Sequence, residues 1–554
     1  MGDVQRITKR WKATYGSSET IKWRNHWKKI SEYFAPRSGK FLTNETEESN
    51  KGERGLDTHV INTTPYRALD VAAAGLTSGL TSPTRPWFSL GIEDSDLMEF
   101  EPVRHWLQVV RDRMLNVFRR SNFYGSVHNM FRETILYGYN PMIIDEDMKT
   151  TIRCRPMTIG EAYITLDSNF RPDGLYRQFW MYADQVEQKF GDYNLPATIK
   201  TAIKAQQYST KFLILHAIEP TSRVDKKNQI AGSSYMSTYF WVGSPQKDDT
   251  AILAQWGHRS KPFMAPRWDV VGSDTYGDSP CIKALSDNLQ LQRMEEDKLK
   301  ALDKMVDPPM NAPESMRHTG GSIRPADINY VNVQQGQQGF TPTLQVKPAF
   351  TEIAFELDRI ENRIDKHLFK DLFLAILDEE KSMTATEVSR RFTEKLQILG
   401  PALDRLQGEA LDVVIDRTFA VMLSMGQIPD PPEEMQGADL KVEYISVLAQ
   451  AQKMVGLTAI EQTAGFIGSL VAVVPEAIDK LDADQAIDEY AEQVGVTVGM
   501  IRSDDEVAEI RDARAKAAAA AAAQEQAMAA AQGAKTLSEA KVGEQNMLTE
   551  VLGG

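Results

Sequence analysis

CIKALSDNLQLQRMEEDKLKALDKMVDPP, residues 281–309, and TEIAFELDRIENRIDKHLFKDLFLAIL, residues 351–377, decide the architecture. The first run places Ile282, Leu285, Leu289, Met294, Leu299, Leu302 and Met305 in an imperfect helical stripe. Arg293 with Asp297, and Glu296 with Lys300, add i,i+4 charge pairs. Asp307-Pro308-Pro309 stops the pattern, because proline supplies no N–H to a helix ladder. At 1.5 Å per residue the helix predicted over 281–306 is roughly 40 Å long. The second run aligns Ile353, Leu357, Ile360, Ile364, Leu368, Leu372 and Ile376 in a clean stripe and predicts one helix over 351–377. Residues 307–350 between them are rich in Pro, Gly and Gln, with two or three short strand candidates. Two long helices around a small insert make an extended hairpin with a head at its tip.

Beyond the hairpin, Asp378-Glu379-Glu380-Lys381 forms a charged turn, and Thr384 with Glu387 fits a capping box that restarts a helix. The helical pattern reaches Leu399, meets Gly400-Pro401 and resumes to Met425, before Gly426 and Pro429, Pro431 and Pro432. One long helix with a kink at Gly400-Pro401 is the simplest reading. Residues 440–510 read as several short amphipathic helices, and the last twenty as loose chain. RDARAKAAAAAAAQEQAMAAAQ, residues 511–532, is a strong helix former whose faces are too small for an ordinary core. Such a helix either stands solvated or packs closely against copies of itself.

The front half is mixed. The run AAAGLTSGL within 61–80 predicts a closely packed helix, ended at Pro83, and 101–120 and 126–137 read as two more. From about 141 to 268 the pattern shifts to short runs rich in β-branched and aromatic residues: AYITL (162–166), LYRQFWMY (175–182), KFLILHAI (211–218) and TYFWVG (238–243). A helix near 183–190 interrupts them. The fold class is therefore α+β, predominantly helical. The first forty residues hold ten Lys/Arg against three Asp/Glu, with Trp11, Trp23 and Trp27 among them. Tryptophans at these intervals read as docking points on a neighbouring surface, with contact to nucleic acid as the less favoured reading.

Composition excludes several classes. The 554 residues carry 63 Lys+Arg and 77 Asp+Glu, a net charge of −14 and a pI near 5.3. That balance argues against tight binding to nucleic acid, which requires many phosphates to be neutralised. The acidity is local, since residues 430–554 hold 22 Asp/Glu and only 9 Lys/Arg while the rest of the chain is near neutral. Cys154 and Cys281 lie 127 positions apart and read as free thiols of a reducing compartment. The longest apolar run, 465–474, is far short of a membrane helix, and the basic N-terminus lacks the apolar run of a signal peptide. The expected setting is soluble, or within a soluble assembly.

Catalytic motifs are missing. The chain contains no G-x-x-x-x-G-K-[ST] phosphate loop and no G-x-S-x-G elbow; Gly75-Leu76-Thr77-Ser78-Gly79 places its serine one position late. No two of the histidines at 26, 59, 105, 128, 216, 258, 318 and 367 stand at i,i+3 or i,i+4, which leaves no helical zinc pair. The acidic runs Asp145-Glu146-Asp147 and Asp504-Asp505-Glu506 lack calcium-loop spacing and read as solvated loops or helix starts. No catalytic residue, metal or cofactor is expected.

Lys261-Pro262-Phe263, Pro266-Arg267-Trp268 and Tyr276-Gly277-Asp278-Ser279-Pro280, leading into a charged helix that ends Val306-Asp307-Pro308-Pro309, resemble the head-to-tail connector, or portal, family of short-tailed bacteriophages. Met383-Thr384-Ala385-Thr386-Glu387-Val388 with Leu399-Gly400-Pro401, and GLTSGLTSPTRPWFSL (75–90), extend the resemblance over roughly residues 10–430. Tyr276, Gly277, Pro280, Asp307, Pro308, Pro309, Thr384, Thr386, Glu387, Gly400 and Pro401 are the motif positions, read as structural.

The resemblance implies a ring, usually of twelve subunits, at one capsid vertex of the virion, assembled in the host cytoplasm. It implies a wing over 1–280, including the basic arm 1–40 and the β-rich part of about 141–270. A stem of helices 281–306 and 351–377 would flank a small α/β clip, 307–350. A tunnel loop at 378–383, a kinked wing helix at 384–426, a helical crown at 427–510 and an Ala-rich extension or barrel at 511–554 would follow. Implied partners are double-stranded DNA held weakly and without sequence preference, the terminase large subunit, major capsid and scaffolding proteins, and tail adaptor proteins, with no membrane. Lys366, Lys370, Asp378, Glu379, Glu380 and Lys381 are the candidates to face DNA in the channel. A DNA-processing enzyme of the packaging machinery and a non-channel helical scaffold or adaptor are the alternatives.

Overall fold

A computed structural model of the chain describes residues 2–43, 59–92, 100–191, 195–244, 249–311, 317, 341–342, 349–377, 385–435, 440–450, 465–470, 485, 487 and 504–539. It divides into two compact units, Met1–Ala459 and Ile460–Gly554.

The first unit begins with α1 (Asp3–Tyr15) and α2 (Ser18–Phe34), the latter capped by Ser17, whose Oγ accepts the Thr20 N–H at 3.0 Å. Val4, Ile7 and Trp11 form the buried face of α1, and Trp27, Ile30 and Phe34 that of α2. The tryptophans dock within their own chain, which corrects the expectation of a neighbouring surface. Trp11 meets Tyr163 edge-on at 5.5 Å, and Trp27 stands edge-on to Tyr276 at 4.9 Å while its Nε1 donates to the Tyr137 carbonyl at 3.2 Å. Arg6 adds an ion pair to the buried Glu219 at 2.7 Å. The basic segment is thus bolted on by its apolar face, leaving lysines such as Lys12, Lys22, Lys28 and Lys29 outward.

Three helices build the centre: α3 (Thr64–Leu80), α4 (Glu101–Arg120) and α5 (Phe123–Tyr137). The small residues of α3 permit close approach. A Cβ at Gly75 would fall 2.4 Å from the Phe373 Cβ, and one at Gly79 2.5 Å from a Leu448 methyl. Helix α5 ends at Gly138, whose φ of +80° suits glycine and whose missing side chain lets Gly277 pack against it.

Two sheets follow. A three-stranded antiparallel sheet has the order β3-β2-β9, from β2 (Met142–Asp147), β3 (Thr151–Pro156) and β9 (Phe263–Met264). A five-stranded antiparallel meander runs β4 (Ala162–Leu166), β5 (Pro172–Tyr182), β6 (Lys211–Pro220), β7 (Tyr235–Trp241) and β8 (Ile252–His258). Helices α6 (Ala183–Phe190) and α7 (Ala197–Lys204) bury Val186 and Ile199 in a small separate core with Ile214, Tyr239 and Leu253 of that sheet. The Asp145-Glu146-Asp147 run, expected as a solvated loop or helix start, is instead the end of strand β2, because hairpin pairing to β3 continues through Asp147↔Thr151. Strand β1 (Phe88–Ile92) pairs with β12 (Leu440–Tyr444), a contact between distant segments that local periodicity cannot disclose.

The hairpin is built by α8 (Leu285–Val306), preceded by a short turn capped by Ser279, and α9 (Phe350–His367). At its tip β10 (Met310–Asn311) pairs antiparallel with β11 (Thr341–Pro342). The single helix expected over 351–377 is two. The chain turns at Leu368-Phe369, with Phe369 at φ +53°, before α10 (Lys370–Leu377). Leu368 and Leu372 are both fully buried, so the apolar stripe runs unbroken through a change of direction.

Helix α11 (Ala385–Leu406) passes through Gly400-Pro401, and the irregular turn lies further on, at Gln407–Leu411, where five residues adopt π-helical geometry before α12 (Asp412–Ser424). The departure from regular α geometry therefore lies beyond the position of the expected kink. Pro401 and Gln397 are exposed, so the carbonyl that loses its partner lies on the solvated side. In the second unit, α13 (Asp504–Glu539) extends well beyond the expected 511–532, and its described side chains from Glu509 through the alanines are almost all exposed.

Candidate functional site: the two-helix hairpin and its base

The base of the hairpin is clamped to the segment entering α3. Gln292 Oε1 accepts the Ile61 and Asn62 N–H groups at 2.8 and 2.9 Å, and its Nε2 donates to the Asn62 carbonyl at 3.0 Å. Asn62 Nδ2 then bridges the two helices, donating to Glu361 at 2.8 Å and Glu295 at 3.2 Å. Asp287 of α8 pairs with Arg363 of α9 at 3.0 Å and lies 3.5 Å from His367. This end is fixed by polar side chains and by buried Leu291, Leu357, Ile360 and Ile364.

Away from the base, packing is sparse. Leu299, Leu302, Met305 and Val306 on α8 and Phe355 on α9 are all more than a third exposed, Val306 at 84% and Phe355 at 71%. The charges there neutralise one another along the helix: Lys300 with Glu296 and Asp297, Arg293 with Asp297 at 3.5 Å, and Arg359 with Glu356 at 3.4 Å. Helix α8 carries five acidic and four basic residues, and α9 five acidic and three basic besides His367, so the hairpin is close to neutral and slightly negative.

The channel candidates fall into three groups. Lys366 is exposed in the last turn of α9, where a cation complements the helix dipole. Lys370 is mostly covered and is paired with Asp365 of the same chain. Asp378, Glu379, Glu380 and Lys381 lie outside the described residues, as does Thr384. The flanks of that segment are joined, since Lys395 of α11 pairs with Asp371 of α10 at 3.0 Å.

The remaining motif positions hold the frame. Tyr276 is fully buried against Trp27 and Tyr139, and Gly277 lies against Gly138. Pro280 opens the turn capped by Ser279, whose Oγ accepts the Ile282 N–H at 3.0 Å and donates to the Leu136 carbonyl at 2.9 Å. The Asp307 N–H closes α8 on the Asp303 carbonyl at 2.8 Å, and Pro308-Pro309 follow. Thr386 and Glu387 lie in the first turn of α11, with Gly400 buried and Pro401 exposed further along it.

Sequence reading missed several buried polar contacts, because their partners are far apart in the chain. Arg267 donates its backbone N–H to Glu409 Oε2 at 3.0 Å and its Nε to both carboxylate oxygens at 3.2 Å. Arg417 reaches Glu146 at 2.8 Å and His258 at 3.1 Å. Burial pushes Glu133 up to about 7, against the Ile159 N–H that donates to it at 3.2 Å. Burial, with Arg155 and Arg177 nearby, pushes Lys189 down to about 7, its ammonium lying 4.4 Å from the Tyr239 ring centre.

A serine and a histidine do meet: His216 Nε2 is 2.7 Å from Ser237 Oγ. The arrangement cannot activate the serine. Arg177 Nε donates to His216 Nδ1 at 3.1 Å, and burial keeps the imidazole neutral, so its one proton sits on Nε2 and points at the hydroxyl. A general base needs the opposite tautomer. Among the described residues no group of three or more His, Cys, Asp or Glu is placed to hold a metal, and no helix is long and apolar enough to cross a membrane. An open cavity of about 460 Å³ between α2 and the 274–282 segment has Lys22 and His26 on one wall, Asp274 and Asp278 on the other, and Trp23 and Ile282 lining it.

Comparison with known proteins agrees over nearly the whole chain. Residues 4–501 match the family model described as bacteriophage head to tail connecting protein. The portal protein of Salmonella phage epsilon15 is 38% identical over 96% of this chain and 95% of its own length. The probable portal protein of Bordetella phage BPP-1 is 35% identical over 96% of this chain and 95% of its own length. Among solved structures, a chain from the neck of an empty gene transfer agent particle aligns over 79% of this chain and 90% of that chain, at 12% identity and a TM-score of 0.36.

Proposed function

Because the chain belongs to the bacteriophage head-to-tail connector (portal) family, we propose that it assembles as a ring, of twelve copies by family precedent, with the hairpins standing side by side around a DNA channel. The observation that supports this most directly is the row of exposed apolar residues on the outer hairpin, Leu299, Leu302, Met305, Val306 and Phe355. A single copy leaves that surface in water, where burial would release roughly 25 cal/mol per Å² of apolar area.

The charge pattern suits passage of DNA without capture. A surface whose lysines and arginines are paired with carboxylates along the same helix has few cations free to displace counterions from phosphate. Duplex DNA therefore slides along it in either direction with weak contact. We place Lys366 and the segment 378–383 nearest the DNA. Lys370 is the weakest of the candidates, since its ammonium is paired with Asp365. In this reading the insert 307–350 meets the terminase large subunit and later the tail adaptors, residues 1–280 and 384–426 form the wing against the major capsid and scaffolding proteins, and residues 427–554 form the crown and its extension. The ring forms in the host cytoplasm and ends at one vertex of the virion.

The protein acts as a passive conduit and not as an enzyme, in keeping with a Ser237-His216 pair held in the wrong tautomer. Of the alternatives, a DNA-processing enzyme predicts hydrolysis of ATP or DNA by the purified protein, and a non-channel scaffold predicts no ring. Replacing Glu380 and Lys381 together should leave the ring intact and alter packaged genome length or its retention. Normal packaging removes the tunnel-loop assignment, and ATP or DNA hydrolysis by the purified protein supports the enzyme instead.

A further inference from the structure

We propose that the long helix of the wing bends at its π-turn, Gln407–Leu411, and not at Gly400-Pro401, and that the Arg267–Glu409 pair is the catch that sets the angle of the bend. The turn departs from the α ladder: the Asp412 N–H donates to the Gln407 carbonyl five residues back, so this stretch holds one surplus residue. Gly408 lies inside it, and a Cβ there would meet only Asp412 Oδ2, at 3.9 Å. Space and backbone freedom coincide at this point.

Both flanks are anchored in the core of the first unit. Helix α11 buries Leu396, Leu399, Leu403 and Leu406, and α12 buries Val414, Ile415, Val421 and Met422. Interiors packed at this density move as units, which concentrates any change of angle in the irregular turn between them. Gly400-Pro401 is a poor hinge by the same test. The helix continues through it, Gly400 is buried, and the missing N–H falls on the exposed side.

Glu409 is the side chain that the turn presents to the wing. Its carboxylate takes the backbone N–H and the guanidinium of Arg267, and the two side chains are only 15% and 5% exposed. Arg267 is itself fixed, with a β-bridge to Tyr139 and an Nη2 bond to the Phe170 carbonyl at 2.9 Å. One residue beyond, the Trp268 carbonyl and Asp269 receive Arg405 at 3.4 and 3.5 Å from the preceding turn. The segment 267–269 therefore grips the long helix at its irregular turn. Releasing Glu409 frees that grip without touching the cores of α11 or α12.

Hydrogen exchange on the purified full-length protein tests this. In Glu409→Gln and Arg267→Lys, the amides of 405–413 should exchange about tenfold faster than in the parent while those of 396–402 hold their rate. Gly408→Ala should act in the opposite direction and slow 405–413, because alanine disfavours the non-α conformations the bend requires. Faster exchange centred on 396–402, or an unchanged 405–413 in both catch variants, overturns the proposal. Should the catch variants fail to fold, Gly408→Ala still decides it: an unchanged or faster 405–413 counts against the hinge.

Discussion

Arg417, buried on α12, donates to Glu146 at the end of β2 over 2.8 Å and so ties the C-terminal half of the long helix to the three-stranded sheet. His258, 4.0 Å from the same carboxylate, and Arg417 together hold Glu146 down to about 2, against the opposing effect of burial. A carboxylate lowered from 4.5 stabilises the fold above pH 4.5 and loses that contribution as the pH falls toward 2. Arg417→Met should cost about 1–3 kcal/mol, since the guanidinium is buried but Glu146 is half in water. Acid titration followed by circular dichroism should show the variant unfolding at higher pH than the parent.

Glu133 carries the opposite sign. Raised from 4.5 to about 7 by burial, it favours the folded state most fully below pH 4.5, and that contribution is lost as the pH rises through 7. Glu133→Gln keeps an oxygen for the Ile159 N–H and removes the charge. Melting temperature measured from pH 5 to 8 should fall in the parent and stay flatter in the variant, with the variant ahead at pH 8. A parent whose Tm rises over that range would contradict the assignment.

Gly138→Ala should be among the most damaging single-atom additions in the first unit. The new Cβ would sit 2.0 Å from the Gly277 carbonyl oxygen on a backbone at φ +80°. Left-handed strain alone costs about 1–2 kcal/mol, before any clash. Thermal unfolding should register a loss above that, whereas Gly408→Ala, with open space, should be tolerated.

On the hairpin, Leu302→Glu with Val306→Asp should leave the fold of a single copy nearly unchanged, because both residues are exposed within it. Size-exclusion chromatography with light scattering should then show assembly weakened or lost while the circular dichroism spectrum and Tm hold. Loss of the spectrum as well would mean that these residues serve the single copy.

Local chemistry made part of this legible. The stripe from Ile353 to Ile364 and the stop at Asp307-Pro308-Pro309 each act through neighbours a few residues away. Long-range facts were not legible. Strand β1 receives no element from local pattern, since its partner Leu440–Tyr444 is distant in the chain, and the tryptophans of α1 and α2 signal docking without saying on what. Leu368 and Leu372 kept the apolar stripe intact across a break that backbone conformation, not hydrophobicity, creates. Pro401 marks a kink through its lost hydrogen bond, and that loss falls on the solvated side. Of the channel candidates, only the crowding of charge at 366–381 was visible. That Lys370 turns to Asp365 depends on the reversal at Phe369, which the stripe concealed.

Electron microscopy of the purified full-length protein tests the central claim most directly. Top views should average to a closed ring with a central channel, and side views should show the hairpins gathered in a narrow stem below a wider wing. Single copies or open, non-closing aggregates, at concentrations where the circular dichroism spectrum shows a folded chain, would contradict the account.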